Sequence, residues 1–259
     1  MAAARRSLWR VAARSASSLA PSAAGLPTRH VLHAHHVPTT PTQKLLVAAT
    51  AAVSVFANPE RGDMLAALGD ATGEVALRQM HLKMCSDPVG MEILAQKPRI
   101  RSAVTDIDAL RSLPTDTFGY AYTQFMDAHG FEADGRAHVR FVDDPELAYV
   151  LQRYRELHDF WHVLFGLPPT VFSEIALKYV ELVQTGLPVC ALSGFVGPLR
   201  LSCGERKELL GTFVPWAYRA GREAPCLLNV YYEREYETKL EDLRRRLNIR
   251  VAPTRRHAN

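Results

Sequence analysis

His158 and His162 stand four residues apart, Asp159 follows the first, and Glu174 comes twelve residues after the second, all within HDFWHVLFGLPPTVFSE. Imidazole nitrogens and carboxylate oxygens are the groups with which proteins hold a transition metal. On a helix of about 3.6 residues per turn, histidines four apart share one face, the spacing with which H-E-x-x-H enzymes bind zinc. Asp159 sits beside them. Gly166, Pro168 and Pro169 then force a turn, so a second helix running back antiparallel can return Glu174 to the histidines. His158, Asp159, His162 and Glu174 are therefore candidate metal ligands on a helical hairpin. The mixed set suits Zn2+ and leaves Fe2+ or Mn2+ open, because two histidines with a carboxylate also bind iron. With both carboxylates bound, the site is nearly neutral around a divalent ion. With one bound, a position stays open for water or substrate.

Blander readings compete. A His-x-x-x-His pair is common on helices, Glu174 can pair with Lys178 one turn on, and Asp159 can simply face solvent. They must also account for polar groups set among Leu157, Phe160, Trp161, Leu164 and Phe165, where an unpaired carboxylate is costly. The metal reading is preferred. A metalloprotease is disfavoured: that chemistry wants glutamate directly after the first histidine, and Asp159 is one methylene shorter.

The elements that must position these residues read as helices. PELAYVLQRYRELHDFWHVLFG follows Asp143-Asp144, with Pro145 suited to the first helical position and apolar residues at three- and four-residue spacing. VFSEIALKYVELVQ follows and stops at Gly186. Upstream, helices are expected from Thr42 to about Ala57, near 60–69, over EVALRQMHLKMC, in short pieces near 88–96 and 105–112, and from Thr115 to Gly130. FEADGRAHVRFV alone looks extended. Downstream, Pro215 must kink or split ERKELLGTFVPWAYRAGR, and YYEREYETKLEDLRRRLN carries a stripe of Tyr236, Leu240, Leu243 and Leu247. The fold class is mainly α, a single all-helical domain with the metal motif on a hairpin.

The chain has 259 residues and a net charge of +4, but the positive excess lies at the front. Residues 1–59 hold Arg5, Arg6, Arg10, Arg14, Arg29 and Lys44 and no acidic residue, leaving 25 basic against 27 acidic side chains in the remainder. A nucleic-acid partner loses its support. MAAARRSLWRVAARSASSLAPSAAG is Arg-, Ala- and Ser-rich and acid-free, the composition of a mitochondrial presequence. Residues 1–36 are accordingly assigned to a transit peptide and linker, cleaved between about residues 20 and 40, and residues 37–259 to one helical domain. His30, His33, His35 and His36 fall in the linker, with nothing there to make them a metal site. Cys85, Cys190, Cys203 and Cys226 stand singly and read as buried thiols of a reducing compartment. The longest apolar run, 45–57, is shorter than the roughly 20 residues that span a bilayer.

HDFWHVLFG followed by Glu174 resembles the H-D-x-x-H-x-x-x-G-x-x-x-x-x-x-x-E signature of the fourth coenzyme Q (ubiquinone) biosynthesis protein family. ELVQTGLPVCALSG, the closing YYERE and LEDLRRRLNI, and the leader extend the resemblance over roughly residues 42–250. It implies an all-helical protein, peripheral on the matrix face of the mitochondrial inner membrane, that organises a multi-subunit coenzyme Q biosynthetic complex. A homodimer is a candidate arrangement that neither the residues nor the resemblance decides. The resemblance implies zinc on His158, Asp159, His162 and Glu174. It also implies removal of the C1 carboxyl from a polyprenylated 4-hydroxy-3-methoxybenzoate, giving a 2-methoxy-6-polyprenylphenol. An oxidative version that also hydroxylates C1, and a non-catalytic lipid-binding scaffold, are the alternatives.

A carboxylate para to a phenol can leave as carbon dioxide once C1 accepts a proton. Asp159 or Glu174 is a candidate proton donor, Asp159 the one assigned. Zinc has no redox chemistry, so hydroxylation requires iron or another oxidant. A polyprenyl substrate needs an apolar channel open to the bilayer. Phe160, Trp161, Phe165 and Phe172 are candidate walls, and Arg200 a candidate contact for an anionic head group.

Overall fold

Thr40 opens the first helix with a reciprocal cap: its hydroxyl accepts from the Gln43 N–H at 3.1 Å while its own N–H donates to Gln43 Oε1 at 2.8 Å. With Pro41 in the first position, α1 (Pro41–Ala57) begins slightly earlier than expected from Thr42. The computed structural model describes residues 31–58 and 61–256; the expected leader over 1–30, including His30, lies outside them. There follow α2 (Gly62–Thr72), α3 (Glu74–Cys85), α4 (Pro88–Gln96), α5 (Ile107–Arg111), α6 (Phe118–His129), α7 (Pro145–Phe165), α8 (Val171–Thr185), α9 (Pro188–Val196), α10 (Cys203–Glu208), α11 (Val214–Glu223) and α12 (Leu240–Arg246). Among the described residues there is no strand, and one isolated bridge joins Thr117 to Lys239. The architecture is a single all-helical domain.

Helix α7 is its centre. Asp144 caps it, accepting from Glu146 N–H at 2.8 Å, and Pro145 takes the first position. Of its 21 residues 16 are buried, so it is enclosed on all sides. Each large apolar side chain buried this way contributes about 1.5–3 kcal/mol. Enclosure also obliges its polar residues to find partners. Glu156 accepts from Arg99 Nε and the Ile100 N–H, both at 2.9 Å, and Gln152 accepts from the Val139 N–H at 3.2 Å. α7 packs on α3 and α6, while α8 packs on α9 and α11.

Several expectations need correction. YYEREYETKLEDLRRRLN is not one helix: only α12 forms, after a 3-10 turn at Tyr232–Arg234. The carbonyls of Tyr236 and Thr238 instead accept from Gly119 N–H and Phe118 N–H, both at 2.8 Å, capping the start of α6. Gly119 is required for that approach, since a Cβ there would lie 2.9 Å from Tyr236 O. α6 begins at Phe118 under Thr117, later than expected from Thr115. FEADGRAHVRFV forms no strand, Ala133–Gly135 being a 3-10 turn. Pro215 does split its helix: a π-helical turn, Leu209–Phe213, separates α10 from α11. Cys190 is buried and Cys226 partly so, but Cys85 and Cys203 are exposed, correcting the reading of all four as buried.

The linker histidines tie residues 31–37 to the domain. His33 Nε2 donates to Val142 O at 2.8 Å, His36 Nε2 meets Asp143 Oδ1 at 2.9 Å, and His35 stacks on His138 with ring centroids 3.7 Å apart.

Candidate metal centre

Gly166 ends α7 at φ 68°, a left-handed conformation that favours glycine, and the Leu167 N–H returns to the His162 carbonyl at 2.9 Å. Thr170 then caps α8 through the Ser173 N–H at 3.3 Å. This short reversal brings α8 back beside α7 and places Glu174, in its first turn, against the two histidines. His158 Nε2 and His162 Nε2 lie 3.2 Å apart. Glu174 Oε2 is 3.3 Å from the first and Oε1 is 3.1 Å from the second. The edges of a tetrahedral zinc shell with bonds of about 2.0 Å are themselves about 3.3 Å.

The outer ring nitrogens are both engaged. His158 Nδ1 donates to Glu181 Oε1 at 2.6 Å, and His162 Nδ1 donates to the Leu167 carbonyl at 2.9 Å. Each hydrogen bond puts a proton on Nδ1 and turns the Nε2 lone pair inward, the tautomer a metal-binding histidine needs. The residues present fit a divalent transition metal. The charges around His158 favour its protonated form. Burial and the Lys178 ammonium oppose its charge, but the carboxylates of Glu181 and Glu174 prevail and raise its pKa to about 10. Despite burial, the neighbouring imidazoles, His158 first, hold the Glu174 carboxyl well below the usual carboxylate range. Glu181 is buried too, and Lys178 and His158 lower it to about 2.

Three of the four expected ligands therefore converge: His158, His162 and Glu174. Asp159 does not join them. Its carboxylate accepts from the largely buried Arg136 guanidinium, which points it away from the ring of ligand atoms. The blander pairing of Glu174 with Lys178 is also absent, since Lys178 Nζ donates to Glu181 Oε2 at 2.6 Å. Glu181 and Arg136 escaped the reading of the sequence. A signal for Glu181 was present: it continues the buried stripe of Leu177 and Val180 two turns beyond Glu174, where a carboxylate has no place unless something pairs with it.

Two cavities flank the centre. The larger, about 620 Å3, is walled mostly by apolar residues of α1, α8 and α9, including Val53, Phe56, Ile175 and Val196, with Glu174, Lys178 and Arg200 among its polar groups. The smaller, about 220 Å3, takes in Arg136, Tyr154, His158 and Asp159, and Leu65 and Lys178 line both. Phe160, Trp161, Phe165 and Phe172 are not walls of either. They are core: Phe160 packs edge-on to Phe118 and Tyr122, and Phe165 edge-on to Trp216. Arg200 does line the larger cavity.

The family model described as "Coenzyme Q (ubiquinone) biosynthesis protein Coq4" matches residues 33–253. The Bos taurus protein named "Ubiquinone biosynthesis protein COQ4 homolog, mitochondrial" is 47% identical over 238 residues, covering 90% of each chain. The Homo sapiens protein of the same name is 47% identical over 222 residues, covering 86% of this chain and 84% of its own. A crystal structure from Nostoc punctiforme PCC 73102, of a protein named for ubiquinone biosynthesis, superposes with a TM-score of 0.64 over 80% of this chain and 96% of its own. At 22% identity that likeness speaks for the fold alone.

Proposed function

The chain belongs to the Coq4 family of coenzyme Q (ubiquinone) biosynthesis proteins, and from that premise we propose that it is a metal-dependent enzyme removing the C1 carboxyl of a 4-hydroxy-3-methoxy-5-polyprenylbenzoate. The observation that carries this reading is the convergence of His158, His162 and Glu174 beside an apolar cavity, with Asp159 turned aside. Three protein ligands leave a position for substrate, as in catalytic sites, whereas four would close the shell, as in structural ones. That contrast favours the enzyme over a scaffold whose metal only supports the fold.

In this reading His158, His162 and Glu174 hold the metal, zinc or iron. When bound, the metal supplies a Lewis acid that orients the anionic head group and stabilises charge developing on it. The larger cavity receives the polyprenyl tail, and the head group lies toward Lys178, whose ammonium borders both cavities. C1 must gain a proton as the carbon–carbon bond breaks, so that the products are carbon dioxide and the 2-methoxy-6-polyprenylphenol. Asp159, lining the smaller cavity beside His158 and paired with Arg136, relays to C1 a proton it first takes from water. Glu174 is the poorer donor, because in this reading it holds the metal. The test is carbon dioxide release from the prenylated substrate under argon, with zinc-loaded wild type and with Asp159→Asn. Anaerobic turnover by the wild type, reduced about 100-fold or more in the variant, is expected. Metal-loaded protein without turnover under any condition would leave the scaffold. One observation favours a second reading: two histidines with one carboxylate is also the ligand set of non-haem iron oxygenases. Turnover confined to the iron form in oxygen would select oxidative decarboxylation.

The relatives are named mitochondrial, and no described helix is long and apolar enough to cross a membrane. The reading therefore places the protein peripherally, on the matrix face of the inner membrane and among the other enzymes of the pathway. The rim of the larger cavity faces the lipid. Val53 and Phe56 line that cavity and yet are 70% and 68% exposed, and Phe195, in the same helix as Val196, is 85% exposed. Burying one Phe in lipid contributes about 1.5–3 kcal/mol, so Phe56→Glu and Phe195→Glu should each weaken binding to inner-membrane-like vesicles at least 10-fold. Unchanged vesicle binding in both would move the contact to another face.

A further inference from the structure

Glu181 is fully buried and lies outside the group of converging ligands, yet every hydrogen bond its carboxylate accepts comes from His158 or from the side chains behind that ring. Its Oε1 accepts from His158 Nδ1 at 2.6 Å. Its Oε2 accepts from Lys178 Nζ at 2.6 Å and from the Tyr154 hydroxyl at 2.7 Å, with the Cys190 thiol 3.6 Å away. Stability alone does not explain this arrangement. A buried ion pair exchanged for apolar side chains of similar volume commonly leaves a protein as stable or more so. The surrounding helix already consists of such residues: Leu177 and Val180 precede Glu181 on the same buried face.

We propose that Glu181 is a positioning residue for the metal: it locks the His158 ring with Nε2 facing the ion, and Lys178 with Tyr154 holds its second oxygen so that the carboxylate stays behind the ring. The two histidines are oriented by different means. His162 is held by the Leu167 carbonyl, a main-chain group no substitution can remove, so its tautomer follows from the turn after α7. His158 depends on one side chain seven residues past Glu174. Glu174 and Glu181, two turns apart on α8, thus divide the work: the first faces the ion and the second faces the far side of a ring the ion uses. Carboxylates in that outer position typically contribute 10- to 100-fold to metal affinity (order of magnitude), by fixing the ring and raising the basicity of its inner nitrogen.

The inference rests on His158, His162 and Glu174 binding the metal, and its test keeps the two apart. Zinc affinity is measured by competition with a chelating dye for the wild type, Lys178→Met, Lys178→Met/Glu181→Leu and Lys178→Met/Glu181→Gln. Pairing the substitutions avoids stranding a buried charge, and circular dichroism checks the fold. Against Lys178→Met, the Glu181→Leu variant should lose roughly 10- to 100-fold in affinity. Glu181→Gln, whose amide oxygen still accepts from Nδ1–H, should recover most of it. In the zinc-loaded proteins, nitrogen-15 NMR should show the His158 Nδ1–H of Lys178→Met, and lose it in the Glu181→Leu variant. Equal affinities with and without Glu181, or a Gln variant as weak as the Leu variant, would overturn the positioning role while leaving the metal site intact. Absence of zinc binding in the wild type would remove the metal reading and this inference with it.

Discussion

Replacing His162 by alanine is expected to abolish stoichiometric metal binding and, with it, turnover. His162 is 1% exposed and uses both ring nitrogens, one toward the Leu167 carbonyl and one toward His158 and Glu174. Alanine removes one of three converging ligands, and two cannot hold a transition metal against competing chelators. The loss should exceed the roughly 100-fold that an outer residue can cause. The fold should survive, weakened by about 1–3 kcal/mol because the Leu167 carbonyl loses its buried donor. Elemental analysis on the purified variant, paired with a thermal melt, checks both parts. A variant that still carried one metal per chain would show that His162 is not a ligand.

Arg153→Ala should have a large effect on stability at a polar position away from the centre. The Arg153 guanidinium, 0% exposed, lies on α7 one turn and a half before His158. It pairs with Glu233 through both terminal nitrogens, one contact being 3.1 Å, and donates to the Val230 carbonyl at 3.2 Å. Alanine leaves the Glu233 carboxylate and that carbonyl without their partner and opens a void beside Tyr232. Breaking a buried pair from one side costs about 3–5 kcal/mol. Glu233 keeps some access to water, which sets the expectation near 3 kcal/mol, or roughly 6–12 °C in melting midpoint. Arg153→Met, which fills the space, should cost less. Denaturant and thermal unfolding measure it, and a loss below about 1 kcal/mol in Arg153→Ala would show that the pair contributes little.

The sequence made much of the centre legible because its signals are local. Histidines one turn apart, a glycine and two prolines, and a threonine cap all act within a few residues, so the hairpin and the return of Glu174 follow from helix geometry. The same holds for α7, with Asp144 and Pro145 at its start and Gly166 at its end. Legibility failed where distant segments compete for the same backbone groups. The helical stripe of Tyr236, Leu240 and Leu243 was a sound local pattern. It was overridden because the start of α6 takes the Tyr236 and Thr238 carbonyls, a competition between residues more than one hundred positions apart.

By itself, then, the sequence determined the helical class, the family, and which residue types gather at the centre, because these depend on spacing within one or two turns. Tertiary structure alone decided which carboxylates turn inward. Asp159 stands beside His158 in the chain yet turns to Arg136, from a segment 23 residues earlier, while Glu181, 23 residues later, reaches the His158 ring. The physical reason is that a buried charge goes to whichever partner packing brings within hydrogen-bonding distance. That choice is made between helices, and no local periodicity records it.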